Sequence, residues 1–305
     1  MRLASLTLVS LLPLCAQSQG GGDVQAFVPH LTPLKRIAGV LPDAARSQGL
    51  QGTVLMLVTI DSQGLVTNVE ALTGPEILRK PAMDAVRQMQ FRPVIRNGHP
   101  VTASTDDSVI FSIPGKPMTA DFNMEEQSAA VQRIISLEKQ FPRSKQQVLA
   151  DLEQDISGAN PRERFYALRT LAKAAWDAGA NLTAADYATE LLNDVAQNQR
   201  DWNNGNAIHD GNMVLGLVAL SNGNLGQAGK YLLDAGKTPG SPQLGSFGPN
   251  MSLAKELLQK GEKEVVLEYF ALCRIFWKMG NDSLDEWTAM VRGGGMPKFG
   301  ANLVY

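Results

Sequence analysis

The sequence predicts an α+β protein: a small antiparallel sheet with one helix, followed by an all-α helical-repeat region. Three observations predict it. An early run of β-formers, Gly52-Thr53-Val54-Leu55-Met56-Leu57-Val58-Thr59-Ile60, is followed by turn residues. From about Glu125 the apolar pattern changes to helical spacing. Turn glycines then recur between apolar helices at Gly179, Gly223 and Gly261, 44 and 38 residues apart. That loose spacing marks stacked helix pairs.

Length and composition bound the class. The chain has 305 residues, enough for two domains. With 44% hydrophobic and 19% charged residues it is an ordinary globular chain. Lys+Arg of 28 against Asp+Glu of 30 gives a net charge of −2. Such a balance carries no electrostatic footprint for nucleic acid or anionic lipid. Two cysteines are too few for a disulfide scaffold.

Residues 1–18 read as a secretory signal, with Arg2, an apolar stretch over 3–14 and the small residues Ala16 and Ser18. The stretch is shorter than the roughly 20 residues a bilayer span needs. Cys15 keeps a lipid-attached form open as the alternative, although Leu14 stands where lipoprotein signals place a small residue. After cleavage Cys273 stands alone in an apolar helical stretch and reads as a buried small side chain. The expected location is periplasmic or secreted. Residues 19–32 read as a linker.

The α+β domain is expected over residues 33–115. Its first strand is the β-forming run, buried for most of its length. Asp61-Ser62-Gln63-Gly64 supplies turn chemistry, and residues 65–72 return as a hairpin partner. Pro81 fits the first turn of a helix whose apolar stripe is Ala82, Ala85, Val86 and Met89. Asn97-Gly98 signals a second hairpin. It leads into a last strand through Val109, Phe111 and Ile113, and Pro114-Gly115 closes the domain.

These motifs, taken in order, resemble the C-terminal domain of the TonB energy-transducer family. The residues that carry the resemblance are Leu41-Pro42-Asp43-Ala44-Ala45, Gly52-Thr53-Val54, Val58-Thr59-Ile60-Asp61-Ser62-Gln63-Gly64-Leu65-Val66, Phe91-Arg92-Pro93 and Asn97-Gly98-His99-Pro100-Val101. Leu41 and Met89 stand where the family often has tyrosine and tryptophan. The resemblance implies binding of a short extended segment of a protein or peptide, such as a TonB-dependent outer-membrane receptor. That segment would add as a strand to an exposed sheet edge. The candidate edge is residues 104–113, with Ser104, Thr105, Val109, Phe111 and Ile113 as its partner-binding residues. Asp106 and Asp107 read first as charges that deter unwanted edge pairing, and second as receptor contacts. No stretch reads as the anchor helix or Pro-rich spacer of a full transducer.

Residues 116–124 read as a linker and 125–292 as the helical region. Val131, Ile134, Ile135 and Leu137 form one helical face, and Val148, Leu149, Leu152 and Ile156 another. Asn160-Pro161 with Glu163 is a helix start. Trp176-Asp177-Ala178-Gly179, Ala185-Asp186-Tyr187-Ala188 and Asn222-Gly223-Asn224-Leu225 resemble tetratricopeptide repeats. Ala178, Ala188, Ala219 and Ala228 are expected at close helix approaches. Residues 238–250 form a long Gly/Pro/Ser connection. Its candidate binding residues are Gln243, Phe247 and Asn250, against the plainer reading that Phe247 packs back onto the helices. Residues 293–305 read as a flexible tail, with Phe299 and Tyr305 able to dock.

Catalytic signals are weak. His30, His99 and His209 have no metal-ligand spacing, and His209 reads as a capping residue near a helix start. Trp202 and Asn203-Asn204-Gly205-Asn206 read as a solvated connection. Ala235-Gly236-Lys237-Thr238 lacks the leading glycine of a phosphate loop. The expectation is a non-enzymatic envelope protein-binding module without metal or cofactor, its helical region serving a second protein partner. Membrane contact runs through partners or a lipid on Cys15. The alternatives are a TonB-like domain used only for assembly or homodimerisation, and an envelope hydrolase with an unrecognised site.

Overall fold

A computed structural model describes residues 23–117 and 123–303. The expected signal, Cys15 and Tyr305 lie outside the described residues. The chain divides into two compact units, residues 1–142 and 143–305.

The first unit runs β1 (Ala26–Phe27), β2 (Pro33–Lys35), α1 (Asp43–Ser47), β3 (Gly52–Ile60), β4 (Val66–Thr73), α2 (Glu76–Val86), β5 (Gln90–Phe91), β6 (Val94–Arg96), β7 (His99–Val101), β8 (Ala103–Phe111) and α3 (Met124–Gln140). Four strands form the main sheet in the order β1-β8-β3-β4. The β3–β4 hairpin closes where Asp61 Oδ1 accepts the Gln63 and Leu65 amides at 2.8 and 2.9 Å. Asn97 and Gly98 both take positive φ, 52° and 78°, and join β6 to β7 as the expected hairpin turn.

Two helices of this unit differ from the sequence expectation. Helix α2 starts at Glu76, so Pro81 lies inside it rather than in its first turn. A proline there removes one intrahelical donor. Burial of Leu78, Ala82, Ala85 and Val86 holds the helix despite that loss. The second difference is α3, which the periodicity assigns to the helical region but which packs within the first unit. The cause lies in β3. Its even residues Val54, Met56, Val58 and Ile60 bury against α2, while Leu57 on the opposite face clusters with Phe27 and Leu137. A strand apolar on both faces needs two covers. Arg79 also reaches Glu126 of α3 with bonds of 3.0 Å to each carboxylate oxygen. Leu137→Ala is expected to cost about 2–5 kcal/mol, the usual loss for a buried leucine. Faster hydrogen exchange in β3 and β4, with tryptophan fluorescence unchanged, would register it, because all four tryptophans lie in the second unit.

The second unit contains α4 (Lys145–Asp155), α5 (Pro161–Asp177), α6 (Asn181–Asp194), α7 (Asn204–Ser221), α8 (Leu225–Gly236), α9 (Pro242–Phe247), α10 (Ser252–Gln259), α11 (Lys263–Phe276) and α12 (Asn281–Arg292). Reciprocal caps start α4 and α5, through Ser144 with Gln147 and Asn160 with Glu163. The recurrent glycines follow α5, α7 and α10 with φ of 76°, 77° and 88°. Successive helices from α4 to α8 pack side by side, and α11 packs on both α8 and α10.

Ala188 and Ala228 are fully buried, yet a tighter approach is at a glycine. A Cβ on Gly216 of α7 would lie 2.2 Å from Leu253 Cδ2 of α10. Asn203, Asn204 and Asn206 are buried, not part of a solvated connection. Asn204 Nδ2 donates to the Val195 and Asn198 carbonyls at 2.9 and 3.1 Å, and α7 begins there. Local polarity signalled a loop; backbone carbonyls elsewhere in the unit make burial of these amides affordable in hydrogen-bond terms. The tail docks through Phe299, which lies edge-on to Trp287 with ring centroids 4.9 Å apart.

Candidate functional site

The strand expected to offer a bare margin is β8. On one side it pairs with β3 along its whole length. On the other it carries β1 in parallel, with Ala26 beside Ala103 and Phe27 beside Ser104. The Gln25 and Val28 amides donate to the Thr102 and Ser104 carbonyls, both at 2.9 Å. The start of this margin is therefore closed by the chain's own backbone.

Those bonds also set the parity of the strand. Even-numbered residues turn their backbone groups outward, and odd-numbered ones turn them toward β3. The side chains of Val109 and Phe111 lie in the core of the unit, and their backbone groups face β3 and not the margin. Thr105 is fully buried and its Oγ1 accepts the Leu31 amide at 3.0 Å. Ser104 is buried beside β1. Ile113 lies past the strand end, half-buried, and its amide donates to Gln51 Oε1 at 2.7 Å. The side chain that stands out along the margin is Ile110, 64% exposed. Phase alone could have found it, since 109 and 111 share the period-two face of the core.

Asp106 and Asp107 are both buried. The His30 amide donates to Asp106 Oδ1 at 2.9 Å, and His30 Nδ1 lies 2.6 Å from Asp106 Oδ2. Arg36 Nη1 and the Ser108 amide donate to Asp107 Oδ1 at 3.1 and 2.7 Å. Among the described residues, Asp107 Oδ2 is buried without a hydrogen-bond partner. These carboxylates hold the chain's own preceding segment, a role the sequence reading did not assign.

In the second unit a groove of about 850 Å³ opens between α5, α7 and α10. Trp176, Met213 and Leu217 give it an apolar wall, and Asp177, Glu256 and Lys260 give it charge. Asp210 lies at its floor. Lys173 Nζ donates to Asp210 Oδ2 at 2.6 Å, and Arg169 Nε lies 3.0 Å from the same oxygen. His209 Nδ1 donates to Asp210 Oδ1 at 2.8 Å, because a carboxylate only accepts. His209 Nε2 is 3.1 Å from the Tyr269 hydroxyl, which donates to the Asn250 carbonyl at 3.0 Å. Burial opposes ionisation of Asp210, but Lys173, His209 and Arg169 outweigh it and hold the carboxyl well below the usual range. His209 is fully buried inside α7, so it is not the expected cap. Burial also pushes the Cys273 thiol up, away from reactivity.

The candidate loop residues separate. Gln243 turns inward, its Oε1 accepting from Arg169 and Asn206 at 3.2 Å each. Phe247, at the end of the short α9, is 67% exposed. Asn250 is the one of the three that lines the groove. Lys173 and Asp210, 37 residues apart, escaped the sequence reading because only helix stacking joins them.

Among the described residues, no group of three or more His, Cys, Asp or Glu is placed to hold a metal. No helix among them is long and apolar enough to cross a membrane.

Comparison with known proteins bears on the first unit. Residues 39–113 match the family model "Gram-negative bacterial TonB protein C-terminal". The matched stretch contains the sheet strands β3, β4 and β8 with α2 between them. "Protein TonB" of Vibrio cholerae serotype O1 is 33% identical over 76 residues, which is 24% of this chain and 31% of that protein. The chain thus spans about a third of the length of the curated relative it matches. The solution structure of the Pseudomonas aeruginosa TonB C-terminal domain is 24% identical, covering 28% of this chain and 90% of that one, with a TM-score of 0.25. A TonB C-terminal domain resemblance and a mostly helical region together describe the chain.

Proposed function

We propose that this chain is a non-enzymatic protein-binding module of the cell envelope. In this reading the sheet unit takes an extended segment of a transport partner along the outward side of β8, as the TonB resemblance implies. The helical unit, read as a degenerate tetratricopeptide-like array, holds a second protein partner through the groove over Asp210. A secretory leader would deliver the chain to the periplasm. The observation that carries the reading is the family match over residues 39–113, which falls on the sheet that supplies the margin.

The parity of β8 selects the test. Val109 directs its amide to β3, so proline there would break the sheet itself. Ile110 directs its amide outward and is exposed. Ile110→Pro therefore removes a margin donor while leaving the β3 ladder. Pull-downs with peptides from the periplasm-facing segments of TonB-dependent receptors are expected to succeed with the unaltered chain. They should weaken about tenfold with Ile110→Pro, the worth of one or two main-chain bonds. Equal recovery by both proteins would sink the strand-addition reading.

A further inference from the structure

The segment that closes the β8 margin has the properties of a stand-in ligand. We infer that residues 25–36 form a built-in occupant of this margin, replaced on binding by a partner segment that runs parallel to β8 and offers a basic side chain to Asp106 and Asp107. The inference rests on the strand-addition reading and adds to it the chemistry of the partner and the obstacle it must overcome.

Three observations carry it. First, the ladder between β1 and β8 is only two residues long. The next amide in phase after Val28, that of His30, leaves the ladder for a side chain. Beyond that point the segment reaches β8 only through side chains, with the His30 and Leu31 amides bonded to Asp106 and Thr105, before Pro33–Lys35 leaves β8 and pairs with β5. The outward backbone of β8 past Ser104 has no strand paired to it among the described residues.

Second, the two carboxylates are buried while the side chains that answer them are in water. The side chains of His30 and Arg36 are 84% and 54% exposed, against 3% for Asp106 and 7% for Asp107. A pair whose cation is exposed holds weakly. A buried carboxylate left bare is costly. The site therefore demands a positive group without being bound firmly to the one it has.

Third, Asp107 Oδ2 is unanswered. Arg36 reaches only Oδ1. A lysine or a forked arginine brought in by a partner strand would satisfy the oxygen that the resident segment leaves bare. The apolar half of the demand is also legible. Ala26, Phe27, Val28 and Leu31 are all buried. A replacing segment must refill those places, so it carries an aromatic and aliphatic pair ahead of its basic residue.

Ala26 and Ala103 are paired, small and buried, which suits them to a reversible tether. The test uses the full chain carrying Ala26→Cys and Ala103→Cys, with Ala26→Cys alone as the thiol control. The probe is a fluorescent synthetic peptide with the sequence of residues 23–36. Reduced protein is expected to bind the probe. Oxidation should weaken binding about tenfold or more, because the start of the margin and the apolar places of residues 26–31 are then never vacated, and reduction should restore it. Equal binding by the oxidised and reduced forms would overturn the stand-in while leaving strand addition intact. No binding by either form overturns the stand-in as well, and the receptor-peptide pull-down then decides strand addition separately. A second arm compares the probe with its Arg36→Gln counterpart on the unaltered chain and on Asp107→Asn. The unaltered chain should favour the basic peptide and Asp107→Asn should not. An equal preference on both chains would overturn the basic-recognition claim.

Discussion

Asp210→Ala is expected to destabilise the helical unit by about 3–5 kcal/mol, the usual loss when one partner of a buried charge pair is removed. Asp210 is 7% exposed and answers Lys173, Arg169 and His209 together. Removing it leaves two permanent cations facing each other across a partly buried groove floor, and it takes away the acceptor of His209 Nδ1. Urea unfolding followed by tryptophan fluorescence reads the effect, since Trp176 lines the same groove. The pH dependence has a definite sign. The folded-state value of Asp210 is depressed. Its contribution is therefore complete above the unfolded-state value of about 4, and is lost progressively as pH falls from there through the folded value. Asp210→Asn should flatten that acid limb. An unchanged limb in Asp210→Asn would show that other carboxylates set it.

Gly205→Ala is the second large effect. A Cβ at this position would lie 1.8 Å from the Gly240 carbonyl oxygen. The clash is with backbone, so no rotamer change relieves it. It would push the start of α7 away from residues 238–241 and break the bond from Thr238 Oγ1 to the Gly205 carbonyl, now 2.7 Å. Overpacking of this kind costs about 3 kcal/mol. Gly226→Ala is the contrast, because a Cβ there meets nothing within 4 Å and the residue lies in α8. It is expected to gain about 0.5–1 kcal/mol from helix propensity. Chemical unfolding of both variants checks the pair. Similar losses in the two would mean that the Gly205 approach is not tight.

The TonB-like sheet was readable because its signals are local. The Asp61-to-Gly64 turn, the Asn97-Gly98 turn and the apolar run of β3 each depend on a few neighbouring residues. The helix starts at Ser144 and Asn160 were readable for the same reason, since a cap acts over three residues. The margin of β8 was misread. Its occupancy depends on a contact between Phe27 and Ser104, 77 residues apart, and a two-residue strand leaves no periodic trace. The polar run from Asn203 to Asn206 misled in the opposite way. Asparagine favours turns in isolation, yet these side chains are buried among carbonyls and amides supplied by other segments.

Short-range chemistry thus set the hairpins, the helix starts and the two-part order of the chain, because each of those preferences is satisfied within one or two turns of backbone. Which edge of the sheet is free, which unit α3 joins and which charges meet under the groove were decided only when distant segments packed. Those outcomes depend on burying apolar faces and neutralising carboxylates across gaps of tens of residues, and no local pattern encodes the partner.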